Sequence, residues 1–208
     1  MTTRRVAWVK DSVVGAEHAE VTIEGDRLTA MSVAIGDNPL PYRVDYELET
    51  GAELVTTRLA LRARGDGWQR TLELRRDDDG GWTADTTSEG SPPLPAPGGD
   101  VALVEGALDC DVAHSPLTNT MPVLRHRMLV EPGSHDFLMA WVSLPDLTFR
   151  PSRQRYASLP DVRNTRVVRY ESLDGTFTAD LTFDADGLVI DYPQLARRLR
   201  QSDTVAGS

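Results

Sequence analysis

The chain is poor in residues that announce a chemistry. Its one cysteine, Cys110, excludes an intrachain disulfide and leaves no sign of an oxidising compartment. Its one lysine, Lys10, is the only candidate for a Schiff base or a phosphate loop, and no G-x-x-x-x-G-K-[ST] pattern surrounds it. No run approaches the roughly 18 apolar residues of a membrane span, and the opening MTTRRVAWVKDSVV lacks the apolar stretch of a secretory signal. The expectation is a cytoplasmic protein with no membrane span. Positive charge is also scarce, with 22 Lys plus Arg against 32 Asp plus Glu and a formal charge of -10. Such a surface repels phosphate backbones and anionic lipid at long range, so a nucleic-acid partner is disfavoured.

What is present is alternation. Tyr42, Val44, Tyr46 and Leu48 stand between Arg43, Asp45, Glu47 and Glu49, which gives one apolar and one wet face at a period of two. The same period runs through Val55, Thr57, Leu59, Leu61 and Ala63, through Trp68, Leu72 and Leu74, and through Phe177, Ala179, Leu181 and Phe183. These are half-buried antiparallel strands. Gly25-Asp26, Asp66-Gly67, Asp79-Gly80, Asp174-Gly175 and Asp186-Gly187 punctuate them as hairpin turns. The segment from Asp136 to Leu144 is apolar at both parities and reads as a central strand covered on both faces.

Two stretches break the pattern. Residues 86–100 are rich in proline and glycine and read as a loop insert within one domain spanning 1–208. After Asp191 and Tyr192, Pro193 suits a first helical position, Leu195 and Leu199 lie one turn apart, and Arg197, Arg198 and Arg200 suit a helix C-terminus. The reading is an all-β, mainly antiparallel fold, a curved sheet closed by a short C-terminal helix, with a frayed tail over 202–208.

The run from Gly106 to Arg127, GALDCDVAHSPLTNTMPVLRHR, is unlike any strand. Asp109, Asp111 and His114 are metal-ligand types, but acids before Pro116 also serve as turn-capping groups, and no second ligand cluster accompanies them. Ser115 beside His114 lacks the G-x-S-x-G elbow of a serine nucleophile. Cys110 lies between two acids, which suppress a thiolate. Ser115, Thr118, Asn119 and Thr120 supply short donors and acceptors, and Arg125 a partner for a carboxylate, phosphate or sugar hydroxyl. The same groups would also make a hydrogen-bonded structural turn. Trp8, Tyr42, Tyr156, Tyr170 and Tyr192 combine an apolar face with a polar tip and could line a sugar or lipid pocket. Asp184-Ala-Asp-Gly187 imitates a calcium loop, but strand pattern follows at once, so it reads as a hairpin turn.

With Leu108-Asp-Cys-Asp111 and Pro116-Leu-Thr-Asn-Thr-Met-Pro122 in hand, followed by Leu124-Arg125, the chain resembles a glycolipid-binding family of bacterial proteins, formerly a domain of unknown function. Ala140-Trp-Val-Ser-Leu-Pro-Asp-Leu147, Gln154-Arg-Tyr156, Phe177-Thr-Ala-Asp-Leu181 and Asp186-Gly-Leu-Val-Ile-Asp-Tyr-Pro193 extend the resemblance from about Trp8 to Arg198. Leu124 replaces the first of a pair of arginines, so Arg125 alone stands for that pair. The resemblance implies a spiral β-roll, similar in outline to half-barrel carriers that shelter acyl chains. The alternation and the polar run, beside that resemblance, support non-catalytic binding of an amphiphile in the concavity of the roll, its tail against an apolar interior and Asp109, Asp111, Ser115, Thr118, Asn119, Thr120, Arg125, Gln154 and Tyr156 around the polar head at the rim, with no cofactor or metal. Two alternatives stay open: an enzyme acting on a glycan through paired carboxylates, Asp109 with Asp111 or Asp180, and a structural domain whose polar run only holds the fold together.

Overall fold

The computed structural model describes residues 1–160 and 165–199. Arg200 and the expected frayed tail, 202–208, lie outside them. Seven long strands come first: β1 (Thr2–Lys10), β2 (Gly15–Glu24), β3 (Arg27–Gly36), β4 (Tyr42–Thr50), β5 (Thr56–Gly65), β6 (Trp68–Arg76) and β7 (Trp82–Glu89). They pair as a continuous antiparallel meander. A short strand, β8 (Asp109–Val112), and the single α-helix among the described residues, α1 (Thr120–Arg125), come next. A second meander completes the chain: β9 (Ser134–Val142), β10 (Phe149–Ser158), β11 (Arg166–Ser172), β12 (Thr178–Phe183), β13 (Val189–Tyr192) and β14 (Ala196–Arg198).

The strands form one sheet in the order β7-β6-β5-β4-β3-β2-β1-β14-β13-β12-β11-β10-β9-β8, not closed into a barrel. Every pair is antiparallel except β8 with β9. The mainly antiparallel all-β expectation therefore holds. The sheet curls strongly enough for its β8 end to reach β5, near the opposite end. Thr56 N donates to Leu108 O at 2.9 Å, and Cys110 N donates to the Thr56 hydroxyl at 3.3 Å.

The expected C-terminal helix is overturned. Leu195 N closes a turn on Tyr192 O at 2.9 Å, and residues 196–198 then enter the sheet between β1 and β13. An open strand slot joins the two meanders there, and backbone pairing on both sides outweighs a weak helical signal in a segment too short to hold a helix alone. Leu195 is partly buried whereas Leu199 is exposed, so their one-turn spacing marks no apolar stripe. Two boundaries shift as well. Residues 86–89, expected in the proline-rich loop, pair with β6 as the end of β7. Alternation slips in β5, where Thr56 is buried and Thr57 exposed, because the ladder with β4 carries an irregularity at Glu49 and Thr50.

The proline-rich segment is tied down. Buried Arg70 donates to the carbonyls of Leu94 and Asp146, each at 3.2 Å, and to Pro95 O. Gly98 bridges Thr148. Asp184 closes the β12–β13 turn by accepting from Leu188 N at 2.9 Å, as a hairpin reading requires. Strand β9 is not central but lies next to the sheet's edge; both its faces are packed as expected, because Ala140 and Val142 join one core cluster and Met139 the other. The first cluster lies inside the β1–β7 meander around Trp8, Leu48, Leu59 and Leu72, and the second under β9–β13. Met121 of α1 belongs to the first and Val123 to the second. No helix among the described residues is long and apolar enough to cross a membrane.

Two glycines face aromatic rings across a strand pair, Gly36 opposite Tyr42 and Gly65 opposite Trp68. A Cβ on Gly65 would stand 2.6 Å from Trp68 Cε2, so Trp68 packs flat only because that methyl is missing. Gly65→Ala should lower stability by about 1–3 kcal/mol through overpacking, read as a lower urea midpoint with an unchanged slope.

Candidate functional site

The polar run expected at a rim is instead the plug of the curled sheet. Leu117, Thr118, Asn119, Thr120 and Met121 are all buried, and with α1 they fill the space between the two core clusters. The greasy hollow expected inside the roll is thus occupied by the chain's own side chains.

Strand β8 presents its two aspartates differently. Asp109 is fully buried and takes a bidentate pair from Arg125, Nη1 at 2.8 Å and Nη2 at 2.6 Å. The same guanidinium donates to Glu53 O at 2.7 Å and Leu54 O at 2.8 Å. Those carbonyls point inward because Glu53 and Leu54 both take positive φ, 56° and 58°. Burial pushes the Asp109 carboxyl up, and the paired guanidinium pulls it back. Arg125 is therefore committed to protein groups. Arg125→Ala should cost about 3–5 kcal/mol, because it strands a buried carboxylate. Arg125→Lys should recover little of this, since an ammonium cannot reproduce the fork; denaturant titration of both variants is the check.

Asp111 has no such partner among the described residues. It accepts from Thr118 Oγ1 at 2.8 Å and Gln154 Nε2 at 2.7 Å, both neutral. The Tyr156 hydroxyl donates to Asn119 Oδ1 at 2.8 Å and lies 3.2 Å from Gln154 Oε1. Thr118, Asn119, Gln154, Tyr156 and Asp111 thus form one network. Thr120 stands apart from it, its buried hydroxyl without a partner among the described residues. Burial, first, and the charge of Asp109 push the Asp111 carboxyl up, while Gln154 and Thr118 oppose them.

With its folded value raised above the unfolded value of about 4, Asp111 contributes most to stability at low pH. That contribution is lost as pH rises through the folded value. Asp111→Asn removes this dependence, so the stability of the variant relative to wild type should improve from acid to neutral pH. Paired urea titrations across that range measure it.

A second buried network was missed. Ser115 Oγ donates to Glu17 Oε1 at 2.8 Å, and the same oxygen accepts from the Tyr46 hydroxyl at 2.6 Å and Ser32 Oγ at 3.0 Å. Lys10 Nζ lies 3.8 Å from Glu17 Oε2 and donates to His114 O. Desolvation drives the Lys10 ammonium below its ordinary value, with Glu17 opposing. A signal was available: Lys10 continues the inward parity of Val6 and Trp8, and Glu17 that of Ala19 and Val21.

The two networks meet at a pocket of about 400 Å³, to which Asp111, His114, Ser115 and Asn119 contribute polar groups. Its aromatic lining is Trp141, Tyr170, Phe177 and Tyr192. Tyr170, Phe177 and Tyr192 touch one another with centroids 5.9–6.1 Å apart, and Arg150 stacks on Trp141 at 4.5 Å. Of the tyrosines and tryptophan singled out in the sequence, Tyr170 and Tyr192 line this pocket; Trp8, Tyr42 and Tyr156 are core. Arg125 faces a separate pocket of about 560 Å³ beside Glu53 and Leu54. Among the described residues no group of three or more His, Cys, Asp and Glu side chains is placed to hold a metal ion. Cys110 is fully buried, and burial followed by Asp109 and Asp111 holds its thiol well above the ordinary value.

Residues 5–198 match the model of a protein family described as "Putative glycolipid-binding". The chain belongs to that family. A solved structure of a DUF1089 family protein from Pseudomonas aeruginosa, determined at 1.80 Å resolution, is 29% identical, with a TM-score of 0.68. The likeness covers 88% of this chain and 92% of the other. No curated protein matches.

Proposed function

We propose that the protein binds a glycolipid without catalysis, and that the pocket of about 400 Å³ takes the sugar. The observation that carries this reading is the convergence of Asp111, Ser115 and Asn119 with four aromatic rings on one cavity. Sugars present hydroxyls in the ring plane and apolar C–H faces above and below it, so they require in-plane donors and acceptors together with aromatic faces. A volume in the lower part of the small-molecule range suits one sugar ring better than an acyl chain. Thr118, Gln154 and Tyr156 act behind the pocket, fixing Asp111 and Asn119 by the hydrogen bonds described above.

The tails are assigned a place outside the interior, because core side chains fill the inside of the sheet. Asp109 and Arg125 hold the fold and are not assigned to the ligand, and Thr120 is assigned to packing. The paired-carboxylate alternative draws no support from this arrangement. Asp109 is engaged by Arg125, and Asp180 pairs with Arg169 at 2.7 Å on an exposed surface.

Methyl and octyl glycosides, titrated below the micellar range while tryptophan fluorescence is followed, provide the test. Saturable binding of both is expected, with affinities within about threefold. A buried tail would instead add about 0.8 kcal/mol per methylene. Tyr170→Ala should weaken binding about tenfold through lost stacking. No saturable response to any glycoside would end the proposal.

A further inference from the structure

Three carboxylates lie close to the inserted segment, Glu17 and Asp109 buried and Asp111 partly buried, and two of them have a cation. Glu17 faces Lys10 at 3.8 Å, and Asp109 is paired with Arg125 at 2.6 Å. The third, Asp111, is held only by the neutral Thr118 and Gln154 side chains and has no ion-pair partner among the described residues. It is also the one of the three that reaches the pocket wall. Ionising a partly buried carboxylate without a counter-charge still carries a desolvation cost, and hydrogen bonds from neutral donors offset only part of it.

Nothing in the pocket lining supplies the missing charge. Its remaining polar groups are uncharged, apart from the titratable imidazole of His114. Burial, with Lys10 adding to it, pushes that imidazole below its ordinary range, which favours the neutral form. Arg150 stacks on Trp141 but does not belong to the lining. Tyr170, Phe177 and Tyr192 form a contiguous aromatic wall. Aromatic faces carry negative charge density and attract ammonium groups. An unmatched carboxylate beside such a wall is complementary to a cation and repels a phosphate, sulfate or uronate.

We infer that the pocket selects a sugar headgroup bearing a cationic amine, with Asp111 as its counter-ion and the aromatic wall of Tyr170, Phe177 and Tyr192 beside it. This rests on the headgroup reading above and narrows it from any sugar to an amino sugar. An N-acetylated sugar keeps the size and the hydroxyls but loses the charge, so it separates electrostatic selection from shape.

Glucosamine, N-acetylglucosamine, glucose and glucose 6-phosphate would be titrated into the wild-type protein by calorimetry, at a pH where the amine is protonated. Glucosamine should bind about tenfold more tightly than either neutral sugar, with the phosphate ester weakest. Asp111→Asn should erase the margin of glucosamine over N-acetylglucosamine. Equal affinities for the amine and the neutral sugars, or tighter binding of the phosphate ester, would overturn the inference and leave the headgroup reading standing. Failure of all four to bind would overturn both. The ranking is read on the unmodified protein, so it decides the matter even if the variant does not fold.

Discussion

The ion pair between Arg125 and Asp109 joins the edge strand β8 and the inserted helix α1, and the same guanidinium ties both to the turn at Glu53 and Leu54, 72 and 71 residues before it. A sheet of this length can curl to many degrees without breaking a ladder bond. The pair selects one, because four hydrogen bonds from a single rigid guanidinium fit only one placement of β8 against the β4–β5 turn. Buried pairs of this kind add little net stability over apolar packing, but they penalise wrong arrangements. Once β8 is fixed, the period of two turns Asp111 to the same side of the strand, against the segment that begins at Ser115.

That segment explains why a curled sheet here is not a container. Leu117 and Met121 are fully buried, and α1 contributes to both core clusters. The interior is packed from within by a polar-looking stretch whose hydroxyls and amides turn toward one another and toward Glu17, Asp111 and Tyr156. A small cavity stays open at the seam of the two hydrogen-bond networks. Its lining is of two kinds: hydroxyls, amides, an imidazole and a carboxylate, and four aromatic rings. The aromatics come from β9, β11, β13 and the residue before β12, so the second meander supplies the rings and the plug supplies most of the polar groups.

Much of the sheet was legible in residues. Tyr42 to Leu48 and Ala179 to Phe183 alternate in burial as their chemistry requires, and turns form where Asp-Gly pairs stand. The C-terminal segment was misread because Leu195 and Leu199 satisfy helical spacing by coincidence, while the demand for a strand there comes from β1, almost two hundred residues away. Candidate site residues were legible as a group but not by role. Asp109 and Asp111 look alike in sequence, and only the position of Arg125 separates the one held by a guanidinium from the one that is not. The pairing of Glu17 with Lys10 is not legible even though their parity places both inward, because a charged residue on an apolar face has no evident use until its partner across the sheet is known.

By itself, the amino-acid sequence determined the local physics: strands from alternation, turns from Asp-Gly pairs, an acidic surface from composition, and one mid-chain run too polar and irregular to be a strand. The tertiary structure alone decided which way that run faces, which buried acids receive a cation and where four scattered aromatic rings converge. Those outcomes depend on the curl that brings β8 to β5. Periodicity carries no information about curvature, because it describes the two faces of a strand and not the distance between the ends of a sheet.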